Sequence, residues 1–262
     1  MIKAKKSLGQ NFLIDQNIID QIVNIIDIKD KNILEIGPGS GNLTSAILNN
    51  HPNKLLVIEK DNELASLLEE TFKDRIKIIN DDVLKVNENL LDDQLLTVFG
   101  NLPYNISTEI LCKWILSIDN KNFWFDYLVL MFQKEVADRI VSDFNSKNYG
   151  RLSILANWKL DIKKIFDIKP SSFFPKPKID SSVLLFSPKK VFFKLNNPKN
   201  LEKITRVFFM HRRKMIKKPY NQLFSKDTKV ASKLNINLNL RPQNLNFETY
   251  YKLTDEYEKL RS

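Results

Sequence analysis

Short apolar runs alternate with segments of helical periodicity along the first two-thirds of the chain. The pattern predicts strands over residues 32–37, 55–59, 76–80, 95–100 and 127–132. It predicts helices after Asp15 and over residues 42–50 and 61–72, then from Ser107 or Thr108 and over residues 134–141. Apolar strands that alternate with helices are typical of a parallel sheet covered on both faces, so the sequence predicts an α/β fold. Two further strands are predicted over residues 159–168 and 181–186.

The pattern and the composition both change after residue 186. The segment SPKK (187–190) has the composition of a boundary, and we predict one domain over residues 1–187 and a second over residues 188–262. The second domain is predicted to be helical and basic. Its most regular segment, residues 201–218, predicts one helix that Pro219 ends.

The positive charge of the chain is concentrated in this second part. The 262 residues carry a net charge of +10. Residues 187–262 contain 18 lysines and arginines against 6 acidic residues, a net charge of +12, whereas residues 1–186 contain 23 against 25, a net charge of −2. Charged runs are often solvated faces, but this segregation favours a polyanionic partner such as a nucleic acid.

The composition also excludes several classes of protein. Hydrophobic residues make up 43% of the chain, and no apolar run reaches the roughly 18 residues of a membrane span. The single cysteine, Cys112, excludes an internal disulfide and fits a reducing compartment, so we expect a cytoplasmic protein with no membrane partner. His51 and His211 lie far apart in the sequence, so no metal site is predicted.

A glycine-rich loop follows the first strand of the predicted sheet. Gly37, Gly39 and Gly41 have the spacing G-x-G-x-G and open a helix. Glycines let a backbone approach a ligand closely, and the helix N-terminus offers free N–H groups. The loop departs from the dinucleotide fingerprint because Asn42 stands where a third small residue is expected. Pro38 suits a ligand that has no pyrophosphate.

Acidic residues follow the next two strands. Glu59 could accept hydrogen bonds from both hydroxyls of a ribose, and Asp81 or Asp82 could accept one from the amine of an adenine. Each acid taken alone is more often an ordinary loop residue. Together, at the carboxyl ends of successive strands, they predict an adenosine site, with S-adenosylmethionine as the leading candidate cofactor and NAD as the second.

The fourth strand leads into FGNLPYNIS (99–107), a segment of residue types that are common in turns. Beside a methyl donor, the same residues suit methylation of an adenine amine. The side-chain oxygen of Asn101 and the backbone carbonyl of Leu102 could accept the two N–H bonds of N6 and localise its lone pair. Pro103 would fix the backbone that carries these acceptors, and Tyr104 could stack on the base.

A base must leave its stack to reach such a pocket, at a cost of a few kcal/mol. Stacking on aromatic rings returns about 1–3 kcal/mol per base, so a second ring would help. The segment SSFFPKPKIDSS (171–182) offers Phe173 and Phe174 for this purpose. Core packing is the alternative for either ring.

Seven segments together resemble the family of rRNA adenine N6,N6-dimethyltransferases, and in particular its bacterial small-subunit type, which is linked to kasugamycin sensitivity. They occur in family order and span nearly the whole chain. The segments are KKSLGQNFL (5–13), EIGPGSGNLT (35–44), VIEKD (57–61), NDDVL (80–84), GNLPYNIS (100–107), FFPKPKIDS (173–181) and HRRKMI (211–216).

The resemblance implies a Rossmann-like S-adenosylmethionine-dependent methyltransferase sheet with a small all-helical C-terminal domain. It implies a catalytic set of Asn101, Leu102, Pro103, Tyr104 and Phe173. It also implies that the donor is held by Asn11, Leu13, Gly37, Gly39, Glu59, Asp82 and Asn101, and it selects Asp82 over Asp81.

The implied substrate is a pair of adjacent adenosines in the 3′-terminal hairpin of small-subunit (16S) rRNA, each methylated twice within the pre-30S particle late in assembly. A monomer is expected. Phosphate contacts would then fall to the basic residues Arg212, Arg213, Lys214, Lys217 and Lys218. Two departures from the family concern docking: Lys176 stands where a proline is common, and HRRKMIKK replaces a form like Q-R-R-K-T-L.

Two alternatives remain from the sequence. One is the related large-subunit (23S) rRNA dimethyltransferase that confers macrolide resistance, which shares the glycine loop and the N-[IL]-P-Y tetrapeptide. The other is a mainly non-catalytic assembly or nucleic-acid-binding factor. The segment LGQNFL and the segment around Pro175 and Pro177 favour the small-subunit type, and the intact acidic residues argue against a role in binding alone.

Overall fold

The computed structural model describes residues 4–5, 8–88, 91–118 and 123–261. The described strands are β1 (Phe12–Leu13), β2 (Asn32–Ile36), β3 (Lys54–Ile58), β4 (Lys77–Ile79), β5 (Leu96–Asn101), β6 (Phe125–Gln133), β7 (Leu160–Ile168), β8 (Phe173–Phe174) and β9 (Ser181–Pro188). The described helices of the first two-thirds are α1 (Gln16–Val23), α2 (Asn42–Asn49), α3 (Asn62–Phe72), α4 (Ser107–Ser117), α5 (Lys134–Ile140) and α6 (Arg151–Lys159). Those that follow are α7 (Pro198–Phe209), α8 (Lys217–Leu223), α9 (Lys229–Lys233) and α10 (Phe247–Lys259).

Seven strands form the main sheet, in the order β4-β3-β2-β5-β6-β9-β7. The five strands from β4 to β6 pair in parallel, which confirms the prediction for the first five apolar runs. Strand β9 pairs with β6 in the antiparallel direction, so the sheet is mixed. An apolar run that is buried on both faces has the same pattern in a parallel and in an antiparallel strand, so the direction of β9 could not be predicted.

A second, two-stranded sheet was not predicted. Strand β1 pairs antiparallel with β8, with Phe12 opposite Phe174 and Leu13 opposite Phe173. Two-residue strands are too short to show an alternating pattern, so the pairing leaves no signal in the sequence. It brings the segment before α1 together with the Pro-rich segment near residue 175.

Acidic caps begin two of the predicted helices. The Asp15 carboxylate accepts a hydrogen bond from the backbone N–H of Ile18, at 3.4 Å, and caps α1 as predicted. Asp61 caps α3 by accepting one from Glu63, at 3.1 Å. Such caps satisfy backbone donors that the first turn of a helix leaves free.

The core of the sheet is built from residues that the apolar runs predicted. Ile33 and Leu34 of β2, Leu56 and Val57 of β3 and Val98 of β5 are fully buried. Because β3, β2 and β5 are neighbours and run parallel, the loops that follow them leave the sheet at one edge. Ligands of open α/β sheets bind at this edge.

The basic segment near the C-terminus differs from the prediction of one helix over residues 201–218. Helix α7 ends at Phe209, residues 210–214 form a turn, and α8 begins at Lys217. Pro219 does not end a helix but occupies the first turn of α8. A proline is tolerated there because its missing N–H would have no partner within the helix.

The described residues divide into two compact units. The first unit lies within Met1–Lys113, Lys121–Ala137 and Ile162–Pro188, and the second lies within Trp114–Asn120, Asp138–Asp161 and Lys189–Ser262. The predicted boundary after residue 187 lies one residue from the last change of unit. The middle segments of the second unit were not predicted, since no change of composition marks them. None of the described helices is long and apolar enough to cross a membrane.

Candidate active site

A cavity of about 290 Å³ opens at the carboxyl edge of the sheet in the first unit. It is lined by residues that follow β2, β3, β4 and β5 and by the segment around β1. The lining comprises residues 8–13, 35–40, 42–43, 58–60, 64, 81–84 and 101–106. All seven residues predicted to hold the donor are among them.

The glycine loop forms one wall of the cavity, and the structure shows why Gly39 is a glycine. Gly39 has φ +57°, and a Cβ atom at this position would lie 2.7 Å from the ring of Phe12. Its backbone N–H donates a hydrogen bond to Oε2 of Glu59, at 3.3 Å. The loop is therefore held against both β1 and the acidic residue that follows β3.

Glu59 is buried, with 6% of its surface exposed. Its Oε1 accepts a second hydrogen bond, from the backbone N–H of Asp61 at 2.8 Å. Burial raises the pKa of Glu59, and the hydrogen bonds from Asp61 and Gly39 act in the opposite direction. The carboxyl group is thus fixed in place, and each oxygen keeps a lone pair for a further donor.

Asp81 and Asp82 both line the cavity beyond β4. The Lys60 ammonium lies 2.8 Å from Oδ2 of Asp82 and is the main cause of its lowered pKa. The other Asp82 oxygen accepts a hydrogen bond from the backbone of Leu84, at 3.0 Å. Asp82 is therefore an ionised acceptor with a fixed orientation. The Asp81 carboxylate accepts from the backbone N–H of Asp82, at 2.7 Å.

Glu35, in the middle of β2, is a cavity residue that the sequence analysis did not single out. It is 1% exposed, and burial raises its pKa to about 8, with a smaller contribution from the neighbouring charge of Glu59. The hydroxyl of Thr44 donates a hydrogen bond to its Oε2, at 2.7 Å. An acidic residue inside the apolar run NILEI was the available signal, because buried carboxyl groups are rare in strands.

The side chain of Asn101, at the end of β5, has a defined orientation. Its Nδ2 donates a hydrogen bond to the backbone carbonyl of Asn11, at 2.7 Å. This bond directs the amide oxygen of Asn101 away from Asn11, and Oδ1 has no hydrogen-bond partner among the described residues. Asn101 therefore presents an unused acceptor in the lining of the cavity.

The rest of the tetrapeptide also lines the cavity. Leu102 is 1% exposed, and Pro103 follows it. The hydroxyl of Tyr104 shares a hydrogen bond with Oγ of Ser181, at 2.5 Å, and burial raises its pKa, so the ring stays neutral. Ser181, at the start of β9, is a second residue that sequence reasoning missed, since it lies 77 residues away.

Comparisons with known proteins identify the family of the chain. Residues 1–259 match the family described as "Ribosomal RNA adenine dimethylase". The chain belongs to this family. It is 68% identical over 260 residues to "Ribosomal RNA small subunit methyltransferase A" of Pelagibacter ubique (strain HTCC1062), and the match covers 99% of each chain.

Two solved structures are similar in fold. A dimethyladenosine transferase from Plasmodium falciparum superposes with a TM-score of 0.79 at 26% identity, covering 95% of this chain and 98% of that one. The 23S rRNA methyltransferase ErmE superposes with a TM-score of 0.67 at 19% identity, covering 96% and 100%. The chain is thus a Rossmann-like methyltransferase of the adenine dimethylase family, and S-adenosylmethionine is the methyl donor that this membership implies.

Of the predicted catalytic residues, Phe173 is the one that the structure does not bring into the cavity lining. Its ring is 3% exposed and packs in the core of the first unit, which is the alternative that the sequence left open. Phe174, its neighbour, is 55% exposed. Adjacent residues of a strand point to opposite faces, and in β8 the face of Phe173 is covered while that of Phe174 is open to solvent.

The predicted RNA-binding residues lie in the turn after α7 and in the first turn of α8. Arg213, Lys214, Lys217 and Lys218 are exposed. The guanidinium of Arg212 is instead partly buried and donates to the backbone carbonyls of Ser146 and Lys147. The structure therefore gives Arg212 a role in holding the turn.

Proposed function

We propose that this chain dimethylates the N6 amines of two adjacent adenosines in the 3′-terminal hairpin of small-subunit rRNA. We further propose that it acts late in assembly, within the pre-30S particle, as a cytoplasmic monomer. The name of the relative at 68% identity supports the choice of subunit. The observation that carries the proposed chemistry is the unused acceptor of Asn101 in a cavity lined by acidic residues and glycines.

The lining fits the donor on grounds of its own structure. Gly37 and Gly39 keep the wall free of Cβ atoms, and Glu59 offers buried acceptors for ribose hydroxyls. Asp82 stays ionised beside Lys60 and would accept the amine of the donor's adenine. Asn11 and Leu13 would close the site from the β1 side. When bound, the donor supplies an electrophilic methyl group on a sulfonium.

The tetrapeptide would prepare the target amine for attack. The N6 amine of adenine is a weak nucleophile because its lone pair is delocalised into the ring. Oδ1 of Asn101 and the backbone carbonyl of Leu102 would accept its two N–H bonds and localise the lone pair on nitrogen. Pro103 restricts the backbone between these acceptors and Tyr104. No general base is needed before attack, since the cationic product can release its proton to water.

The flipped base would stack on the ring of Tyr104, which Ser181 holds in place. Phe173 would supply the second ring, and its side chain would have to leave the core to reach the base. The exposed Arg213, Lys214, Lys217 and Lys218 would hold phosphates of the subunit RNA without reading its sequence.

The test is mass spectrometry of rRNA after treatment with the protein and an isotopically labelled donor. Small and large precursor subunits that lack the modification would be offered in separate reactions and in competition. We expect N6,N6-dimethyladenosine in two adjacent positions of the small-subunit RNA. Label confined to large-subunit RNA would favour the macrolide-resistance type, and binding without label in either RNA would favour the non-catalytic alternative.

A further inference from the structure

We propose that Phe174, Lys176 and Lys178 form a contact strip for the RNA strand that carries the target base. The inference rests on the proposed function and adds a substrate-binding surface to it. The three residues are exposed, whereas Pro175 and Pro177 between them are partly buried. The alternation places one aromatic ring and two ammonium groups on the solvent side of a segment whose prolines restrict its backbone.

Both ends of this segment are attached to the lining of the cavity. Phe174 is the β-sheet partner of Phe12, and the ring of Phe12 packs against Gly39 in the cavity wall. At the other end, Ser181 shares its hydrogen bond with the hydroxyl of Tyr104, which also lines the cavity. The contact strip therefore lies between two fixed points of the site in which the target base would be held.

The charges of the contact strip are available to a ligand. Lys176 and Lys178 form no ion pair with any carboxylate of the described residues. Asp180, the nearest acidic residue in the sequence, is paired instead with Lys169, at 3.0 Å. Two unpaired ammonium groups beside a cavity for a nucleoside are suited to successive phosphates of the strand.

The exposed ring of Phe174 points to a nucleic acid rather than another anion. Aromatic rings that alternate with cations are typical of surfaces for single-stranded nucleic acids, because every base has a face that can stack. A nucleotide flanking the flipped adenosine loses its stacking neighbour on one side and exposes such a face. Lys176 stands where the family often has a proline, so the contact strip is a feature of this chain's own residues.

The charge contribution is tested with the double variant K176Q/K178Q. A fluorescein-labelled transcript of the 3′-terminal hairpin of small-subunit rRNA serves as the probe, and its affinity is measured by anisotropy over a series of salt concentrations. The slope of log affinity against log salt is negative, and each lost single-strand phosphate contact reduces its magnitude by about 0.7. We therefore expect the magnitude to fall by about 1.4. Calorimetry of S-adenosylmethionine binding should give an unchanged affinity.

The matched control is K29Q/K77Q, which removes two exposed lysines of the first unit that do not line the cavity. We expect this variant to keep the full slope. A slope decrease of equal size in both double variants would overturn the proposal, since it would reflect net charge alone. An unchanged slope in K176Q/K178Q, or a loss of donor binding in that variant, would also overturn it.

The ring is tested separately with F174L, which keeps an apolar side chain. Loss of stacking should weaken binding of the transcript at least about fivefold while leaving the salt slope unchanged. If the strip variants bind the transcript normally and fail only on assembled subunits, the strip contacts a protein and the proposal is wrong. Failure of the proposed function would be seen independently, as unmodified adenosines after treatment with the unsubstituted protein.

Discussion

The cavity and the basic turn, residues 210–214, present their polar groups in opposite physical settings. The polar groups of the cavity are buried and held by hydrogen bonds at fixed distances, such as Glu59 to Gly39 and Asn101 to Asn11. The basic turn carries charges at Arg213 and Lys214 that are exposed to solvent. Fixed acceptors can select one atom of one ring, whereas solvated cations select only a charged backbone. Chemistry and docking should therefore be separable by mutation.

The largest effect is expected for Asn101→Ala, which removes the acceptor and leaves the basic turn intact. The rate of methyl transfer in a single turnover should fall at least about 100-fold, as for other preorganised hydrogen-bond groups of active sites. Binding of the subunit RNA should stay within about threefold of the original affinity, because phosphate contacts dominate it. Radiolabelled donor and a filter-binding assay measure the two quantities.

Asn49→Ala is the matched control for this variant, since Asn49 is exposed on α2 and lies outside the cavity lining. It should leave both the rate and the RNA affinity unchanged. Full activity of Asn101→Ala would contradict the role assigned to the side chain. A parallel loss of RNA binding would show that chemistry and docking are not separable at this residue.

An intermediate effect is expected at the basic turn, for the double variant Arg213→Gln with Lys214→Gln. Two lost phosphate contacts should weaken RNA binding about tenfold near physiological salt and flatten its salt dependence. The single-turnover rate at saturating RNA should not change, because no cavity residue is altered. The paired control is Lys226→Gln with Lys229→Gln, two exposed lysines of the same unit outside this turn. Equal losses in both variants would mean that the turn is not a distinct docking site.

The cavity could be predicted from the sequence because its parts follow successive strands. Each polar residue directly after an apolar run comes to the same edge once the strands pair in parallel, as Glu59, Asp82 and Asn101 do. The glycine loop was recognisable for the same reason. The parallel pairing of the strands is enough to bring these side chains into one cavity.

The parts that could not be predicted depend on contacts between distant segments. The pairing of β1 with β8 buries Phe173 and exposes Phe174, a choice that two adjacent phenylalanines do not reveal. The break between α7 and α8 was hidden because residues 201–218 keep an almost continuous helical pattern. In the sequence Arg212 is indistinguishable from its basic neighbours, because its hydrogen bonds to the carbonyls of Ser146 and Lys147 join segments that lie far apart along the chain.

The last prediction leaves activity and concerns the pH dependence of stability, which separates buried from solvated charge. Glu35 has a pKa raised to about 8 in the folded cavity, against an ordinary value of 4.5. Between these values the folded state binds a proton that the unfolded state releases. The contribution of Glu35 to stability is therefore full below pH 4.5 and is lost as the pH rises through about 8.

Glu35→Gln should abolish this contribution, since a glutamine can still accept the hydrogen bond from Thr44 but does not titrate. The difference in unfolding free energy between the two proteins should change with pH by at most about 1.4 kcal/mol per unit between pH 5 and pH 8, in favour of the variant at the higher pH. Urea denaturation at intervals of half a pH unit measures it. The control is Lys214→Gln in the basic turn, which removes a charge exposed to solvent. The difference in unfolding free energy between this variant and the unsubstituted protein should not change with pH over this range. If the difference in unfolding free energy for Glu35→Gln also did not change with pH, solvent would reach the carboxyl group of Glu35. The cavity would then shield its charges from water no better than the basic turn does.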